Sequence, residues 1–415
     1  MLGCSWRWWS VFRYLWIAVL LSLSACGGSG GASSPTAQRG DLVSVASPTF
    51  IAIPAVNAYI AVLAGLGVNT SVLNTTRYSV SLNRVVYKTV TPDGRLIDAS
   101  GVVAYPTKTP GAQSPVVSYQ HGTIFLDAEV PSLAATPDPV LVAMAGTGFV
   151  VVMPDYVGYT ASTAEVHPYT HAQGTAVAVV DLLRATRRLL ANNNVATNDQ
   201  LFLTGYSEGG YATLATQQEI EQRLAGEFSI TASMPAAGPY DISATAQYLV
   251  GLATNPNPQY LGFVIRAYDH WYNWNRIDDI FQSPYSTVVA TYYDGNHSGA
   301  ETRNALTTDS TLLFAGTFRS DFLGSGEMAL KADMARNDIY DWAPVAPTRL
   351  FHGEDDTVVP YFNTANAASA MALAGATSVT VVNCTTPAPP RDHSECVPDY
   401  LSQMFAWFVP LAINL

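Results

Sequence analysis

Two hydrophobic patterns alternate along most of this chain. Short continuous apolar runs, typical of strands buried on both faces, are SPVVSYQ, GFVVVMPDY, QLFLTG, TRLFHG and SVTVVN. Between these runs, apolar residues recur at helical spacing in Thr170–Leu190 and Gly209–Leu224. Strands that alternate with helices predict an α/β fold, with a mostly parallel central sheet and helices on both of its faces.

A different pattern precedes the first of these runs. The segment YSVSLNRVVYKTV alternates apolar and polar residues, and the turn signal TPDG separates it from the apolar segment SGVVAYP. Two such segments joined by a turn predict an antiparallel hairpin at the start of the sheet.

The alternation stops between residues 243 and 343, where the chain is aromatic and irregular, and the strand TRLFHG follows. Because the sheet pattern resumes, we expect a cap inserted over the carboxyl edge of the sheet rather than a separate domain. The core would then consist of residues 48–242 and 344–415. Trp271, Tyr272 and Trp274 lie in the insertion, where they either line a substrate pocket or pack inside the cap.

The first 47 residues have the composition of a targeting segment. Residues 1–25 combine two arginines, the apolar stretch YLWIAVLLSL and small residues, which is typical of a signal peptide. The sequence LSAC ending at Cys26 is similar to a bacterial lipoprotein box, and residues 26–47 read as a flexible tether. We expect an exported protein, either a lipoprotein anchored in the outer membrane through Cys26 or, if no lipid is added, a periplasmic or extracellular enzyme.

Composition and charge limit the classes of molecule that the protein is expected to bind. The 415 residues carry a formal net charge of −12 and only 13% charged residues, without a block of Lys and Arg. Nucleic acid is therefore not an expected partner, because phosphate binding needs clustered cations. The sequence makes no prediction of oligomeric state. Cys384 and Cys396 are an even pair in a short loop, and in an oxidising compartment we expect them to form a disulfide.

The candidate nucleophile is Ser207, in the G-x-S-x-G pentapeptide of residues 205–209. An apolar strand leads into it and a helix pattern leads out, which is the context of a nucleophile elbow. The alternative is an ordinary turn serine. At the elbow, the hydroxyl would face backbone N–H groups at the start of a helix.

A serine hydroxyl needs a base to take its proton and an acid to orient that base. The segment TRLFHGEDDTVVPY carries adjacent acids after a predicted strand, and the form H-G-x-x-D-x-x-V-P selects Asp356, with Asp355 as the alternative. Beyond these acids, His393 is the one histidine, and it follows the candidate last strand. We expect Ser207, Asp356 and His393 to form a catalytic triad.

The oxyanion of such a reaction needs two N–H donors. One would come from Glu208, which follows the nucleophile. The second would come from the loop after the strand VVSYQ, where Thr123 is the first candidate and Gly122 the second. No metal or organic cofactor is required by this chemistry.

Together these motifs resemble the α/β-hydrolase superfamily and, within it, the secretory lipases of fungi and their bacterial lipoprotein relatives. The resemblance rests on YQHGT, VVMPDYVGY, HPYTHAQGTAVAVVDLLRA, GYSEGG and HGEDDTVVP. It implies a serine hydrolase that cleaves carboxylic esters, with an apolar acyl or aromatic substrate, through an acyl-enzyme intermediate. A peptidase or amidase with the same triad and a non-catalytic envelope binding lipoprotein are the alternatives. We interpret HPYTHAQG as the start of a helix rather than as part of the active-site rim.

Overall fold

The computed structural model describes residues 37–73, 78–386 and 388–415. The predicted signal peptide, Cys26 and the first part of the predicted tether lie outside the described residues. Within the described ranges, no helix has the length and the apolar run needed to cross a membrane.

The described residues contain a sheet of ten strands. The strands are β1 (Leu42–Val45), β2 (Thr49–Ile51), β3 (Val80–Val90), β4 (Leu96–Pro106), β5 (Gln113–Gln120), β6 (Val150–Pro154), β7 (Ala196–Tyr206), β8 (Ala232–Ala236), β9 (Thr348–His352) and β10 (Val379–Asn383). Their spatial order is β1-β3-β4-β6-β5-β7-β8-β9-β10, with β2 paired to β3. From β6 to β10 all neighbours are parallel, whereas β1 to β4 and the β4–β6 pair are antiparallel.

Helices cover both faces of this sheet. They are α1 (Ile53–Gly65), α2 (Pro139–Thr147), α3 (Ala172–Asn192), α4 (Glu208–Arg223), α5 (Ile242–Gly251), α6 (Pro258–Trp271), α7 (Ile277–Ile280), α8 (Tyr285–Thr291), α9 (Gly299–Ala305), α10 (Ser310–Leu313), α11 (Gly316–Leu323), α12 (Met328–Ala335), α13 (Phe362–Leu373) and α14 (Val397–Leu411). One buried apolar cluster joins α1, α2 and α14 to the sheet, and another joins α3 and α4 to it. The predicted α/β architecture is confirmed.

The hairpin of β3 and β4 forms over eleven paired positions, from Val80↔Pro106 to Val90↔Leu96. Two N-terminal strands extend it. Leu42–Val45, which the sequence pattern assigns to the flexible tether, pairs with β3 as strand β1. This strand is too short and too exposed to show a clear apolar alternation.

The segment between β8 and β9 is mainly helical, from α5 to α12, rather than irregular. Its apolar residues share one buried cluster with residues of the sheet region such as Phe125, Tyr169 and Tyr211. The helices α7 to α12 have only four to eight residues, too few to show an amphipathic period, which explains why most of this segment reads as irregular in sequence.

Parallel pairing brings the carboxyl ends of the central strands to one edge. Gln120 of β5 pairs with Gly205 of β7, Tyr206 of β7 with Ala236 of β8, and His352 of β9 with the end of β10. The loops that follow these strands therefore meet at this edge, where open α/β sheets commonly bind ligands.

Candidate active site

Ser207 occupies the sharp turn between β7 and α4. Its backbone has φ 61° and ψ −124°, a region that costs free energy for any residue with a Cβ atom. The Ser207 N–H donates to the carbonyl oxygen of Ala236 at 2.9 Å, which holds the turn against the end of β8. The structure therefore holds the one residue between strand and helix in a strained conformation.

Three glycines allow this turn because neighbouring backbone comes too close for a side chain. A Cβ atom on Gly205 would lie 2.4 Å from the carbonyl oxygen of Gly209. On Gly209 it would lie 2.0 Å from the oxygen of Gln120, and on Gly210 2.1 Å from that of Ala236. Backbone atoms cannot move away as a flexible side chain would, so glycine is required at all three positions.

Asp356 and His393 are in direct contact. His393 Nδ1 lies 2.6 Å from Asp356 Oδ2, and the Asp356 side chain is fully buried. The other carboxylate oxygen, Oδ1, accepts the N–H groups of Val358 and Val359 at 2.9 and 2.8 Å. With a second imidazole, from His352, the Asp356 carboxylate has four hydrogen-bond partners that fix its orientation.

That second imidazole belongs to His352. Its Nε2 lies 3.1 Å from Asp356 Oδ2 and 2.9 Å from the carbonyl oxygen of Val359, while Nδ1 is 2.7 Å from the Thr364 hydroxyl. Since a carbonyl only accepts, Nε2 carries the hydrogen and Nδ1 accepts from Thr364. Burial acts to raise the pKa of Asp356, but the charge on His393 and the hydrogen bonds from both histidines outweigh it and lower that pKa well below its usual range.

The neighbouring acids face elsewhere. Asp355 Oδ2 accepts the backbone N–H of Arg391 at 2.9 Å, and Glu354 Oε1 accepts from the Asn383 amide at 2.8 Å. Both side chains are exposed. Among the three adjacent acids, Asp356 is the one beside His393.

The loop that carries His393 is tied to the sheet in two ways. Cys384, directly after β10, forms a disulfide with Cys396 on the other side of His393. The Tyr206 hydroxyl donates to the backbone carbonyl of His393 at 2.7 Å, which links the base to the residue before Ser207. Within the described residues, the Ser207 hydroxyl and the His393 ring are not hydrogen-bonded to each other.

The loop after β5 passes beside Ser207. A Cβ atom on Gly122 would lie 3.3 Å from the carbonyl oxygen of Tyr206 and 3.7 Å from the Ser207 Cβ. The next residue, Thr123, is fixed by a 2.8 Å contact between its hydroxyl and that of Tyr169. Across from this loop, Glu208 is the first residue of α4, so its N–H has no helical carbonyl partner. Both predicted sources of oxyanion donors thus flank Ser207.

The HPYTHAQG segment has two functions in the structure, of which the sequence analysis predicts one. His171 caps α3, since its Nδ1 accepts the N–H of Gly174 at 3.1 Å. His167 does not act in the helix start: its Nε2 lies 2.7 Å from the Oε1 atom of Glu208. The sequence signal for this contact was Glu208 itself: an acid at a tightly packed turn is expected to be buried and therefore to need a polar partner.

Ser207 also lines an open, mainly apolar cavity. Most of its other walls come from α5, α6 and the loop after β9: Ile242, Thr245, Ala246, Leu249, Tyr260, Leu261, Val264, Val358 and Val359. The candidate pocket residues Trp271, Tyr272 and Trp274 do not line this cavity, because they lie at and beyond the far end of α6. Trp271 and Tyr272 face a separate pocket, and the Trp274 ring nitrogen donates to Asp333 at 2.8 Å.

Comparison with known proteins matches the fold and part of the sequence. A family model described as secretory lipase matches residues 129–255. The rice cell wall degrading esterase LipA from Xanthomonas oryzae is 27% identical, with a TM-score of 0.79 over 89% of this chain and 98% of that one. A structure of a hydrolase from Legionella pneumophila has the same identity, TM-score and coverage of both chains. No curated protein sequence matches significantly.

Candida antarctica lipase A, at 18% identity and a TM-score of 0.60 over 86% of this chain and 78% of that one, shares the fold. With the sheet order and the elbow, these comparisons define an α/β-hydrolase of the carboxylic ester hydrolase class. Within that class, the chain resembles the secretory lipases.

Proposed function

We propose that this protein cleaves carboxylic esters with Ser207 as nucleophile, His393 as general base and Asp356 as the acid that orients the base. The observation that carries this proposal is the 2.6 Å contact between His393 Nδ1 and the buried carboxylate of Asp356. A hydrogen on Nδ1 that is donated to the carboxylate leaves the lone pair of Nε2 available for the serine proton. The strained backbone of Ser207 supports the same assignment.

In this mechanism, the Ser207 hydroxyl rotates towards His393 Nε2 when substrate binds, since catalytic hydrogen bonds often form only in the complex. Ser207 Oγ attacks the ester carbonyl while Nε2 takes the proton. The N–H groups of Glu208 and of Thr123, or alternatively Gly122, bind the oxyanion. His393 returns the proton to the departing alcohol, then activates water to hydrolyse the acyl-enzyme.

The cavity beside Ser207 suggests the substrate class. Its walls are mainly aliphatic, from Ile242, Leu249, Leu261 and Val264. An apolar acyl chain gains free energy by leaving water for such walls. We therefore propose an aliphatic acyl group as the preferred substituent, and residues 243–343 as a cap that contributes part of its binding surface through α5 and α6.

Two experiments test the chemistry. Fluorophosphonate should label Ser207 and abolish ester hydrolysis, and Ser207→Ala should lower kcat by several orders of magnitude. A series of p-nitrophenyl acyl esters, measured beside aminoacyl anilides, tests substrate class. Turnover of the anilides alone would favour the peptidase or amidase alternative, and full biological function in the Ser207→Ala variant would favour a binding protein.

We also propose that the protein is exported and anchored by a lipid on Cys26. The Cys384–Cys396 disulfide supports an oxidising compartment. The intact mass of the mature protein tests the anchor: a chain that begins at Cys26 with a diacylglyceryl group and a third acyl chain is the expected species. An N-terminus without added lipid mass would instead indicate a released enzyme.

A further inference from the structure

A buried carboxyl group lies directly beside the proposed nucleophile. The Glu208 side chain is 1% exposed, although it belongs to the first turn of α4. Its Oε1 atom lies 2.7 Å from His167 Nε2, and its Oε2 atom is buried without a hydrogen-bond partner. Burying a carboxylate without compensation costs several kcal/mol, so the contact with His167 offsets much of the desolvation cost of the Glu208 side chain.

The hydrogen bonds of His167 determine where protons lie. His167 Nδ1 is 2.7 Å from the carbonyl oxygen of Val157, which only accepts, so Nδ1 carries a hydrogen. The 2.7 Å contact between Nε2 and Oε1 needs a second hydrogen between the two atoms. The pair is therefore an imidazolium with a carboxylate, or a neutral imidazole with a carboxylic acid. Its net charge is zero in both forms.

Aromatic rings enclose this pair. The His167 ring has its centre 5.9 Å from that of Tyr156, 4.9 Å from that of Tyr159 and 5.5 Å from that of Phe263. The backbone is equally close, because a Cβ atom on Gly158 would lie 2.5 Å from His167 Cα. These contacts fix the orientation of the His167 ring relative to Glu208.

We propose that His167 is a positioning residue for ester hydrolysis, which acts by neutralising the Glu208 side chain and fixing the Glu208 backbone N–H at the oxyanion. This inference rests on the proposed function of Ser207 and Glu208. Two effects follow from one contact. The side-chain bond anchors the first turn of α4 to the loop after β6, and the neutral pair keeps an unpaired negative charge away from the position where the oxyanion forms.

The test compares His167→Ala with the double variant His167→Ala/Glu208→Gln. In His167→Ala, the Glu208 carboxyl group loses its partner, and we expect kcat for a short p-nitrophenyl ester to fall about 10- to 100-fold with little change in KM. Glu208→Gln removes the charge that His167 no longer balances, so the double variant should regain at least about tenfold of that loss. The matched control is His297→Ala, whose imidazole pairs with Asp294 on the surface of the cap and should leave kcat unchanged.

A second measurement separates positioning from loss of structure. The affinity of an alkyl trifluoromethyl ketone, which forms an oxyanion on the enzyme, should weaken in proportion to kcat/KM in His167→Ala and recover in the double variant. Circular dichroism and Tm measured on the same samples establish that each variant is folded. If folded His167→Ala has wild-type kcat and ketone affinity, or if the double variant is no better than the single one, the inference is wrong. Wild-type ester hydrolysis by Ser207→Ala would instead overturn the proposed function itself.

Discussion

Replacing Asp356 by Asn tests the acid of the proposed triad, because the hydrogen-bond pattern fixes how the amide would sit. Carboxylate oxygen Oδ1 accepts two backbone N–H groups, from Val358 and Val359. An amide nitrogen cannot accept these bonds, so the Asn oxygen must face them. The NH₂ group then occupies the position of Oδ2, where it faces the ring of His393.

This orientation reverses the tautomer of the base. A donor at the Oδ2 position favours a lone pair on His393 Nδ1 and therefore a hydrogen on Nε2, which can no longer take the serine proton. The loss of the correct tautomer in a serine triad costs about 10⁴ in kcat. At about 1.4 kcal/mol for each tenfold change, this corresponds to about 5.5 kcal/mol of transition-state stabilisation.

The assay is steady-state hydrolysis of p-nitrophenyl butyrate, with Tm measured on the same preparations. The matched control is Asp355→Asn, since the Asp355 carboxylate accepts the backbone N–H of Arg391, and an amide oxygen can accept it equally well. We expect the control to keep kcat within about twofold. A folded Asp356→Asn variant with more than about a tenth of wild-type kcat would refute the assignment, above all if Asp355→Asn were the inactive variant.

Three further outcomes follow from close contacts, burial and the cavity. Gly209→Ala should lower the free energy of unfolding by about 3 kcal/mol or prevent folding, because the new Cβ atom would lie 2.0 Å from the Gln120 oxygen; urea unfolding measures this. Burial lowers the pKa of His171 from 6.5 to about 4, so the unfolded state binds more protons in that range, and stability falls by up to about 3 kcal/mol as the pH drops from 6.5 to 4. His171→Asn keeps the helix cap and should flatten this part of the Tm–pH curve. Leu249→Trp should fill the cavity and lower kcat/KM for long acyl esters at least tenfold more than for acetate.

The Gly209 prediction has a matched control in the same chain, and each of the three has an outcome that would contradict it. Gly226 has nothing within 4 Å of its Cβ position, so Gly226→Ala should change stability by less than about 0.5 kcal/mol. Equal effects at Gly209 and Gly226 would contradict the packing argument. An unchanged Tm–pH curve in His171→Asn would contradict the burial argument. For Leu249→Trp, an unaltered profile of rate against acyl length would place the acyl chain elsewhere.

Sequence patterns predict most of the sheet because its parallel strands are continuous apolar runs. Strand β8 (ASMPA) is missed because it consists mainly of small residues with a proline and so does not form a continuous apolar run. The helices α7 to α12 are missed for a related reason: at four to eight residues, they show no period. Short elements of this kind are stabilised by tertiary packing more than by local propensity.

In the candidate site too, features encoded by local motifs are visible in the sequence, whereas features that depend on tertiary packing are not. Ser207 and the acid run are visible in sequence because each belongs to a local motif beside a strand. The contact between His167 and Glu208 joins residues 41 positions apart and depends on how the loop after β6 packs on α4. The cavity beside Ser207 likewise depends on which end of α6 faces Ser207, and aromatic content does not predict this: Trp271 and Tyr272 line a different pocket.

The loop that carries His393 has a practical consequence for anyone who produces this enzyme. Its disulfide to the end of β10 forms only where thiols are oxidised, whereas the Ser207 turn depends on close packing at glycines and on a backbone hydrogen bond to Ala236. Material made in a reducing cytosol would thus have an intact Ser207 turn but a His393 loop held by weaker contacts. Secretion to the periplasm of the expression host is therefore the route expected to keep all members of the proposed triad in place.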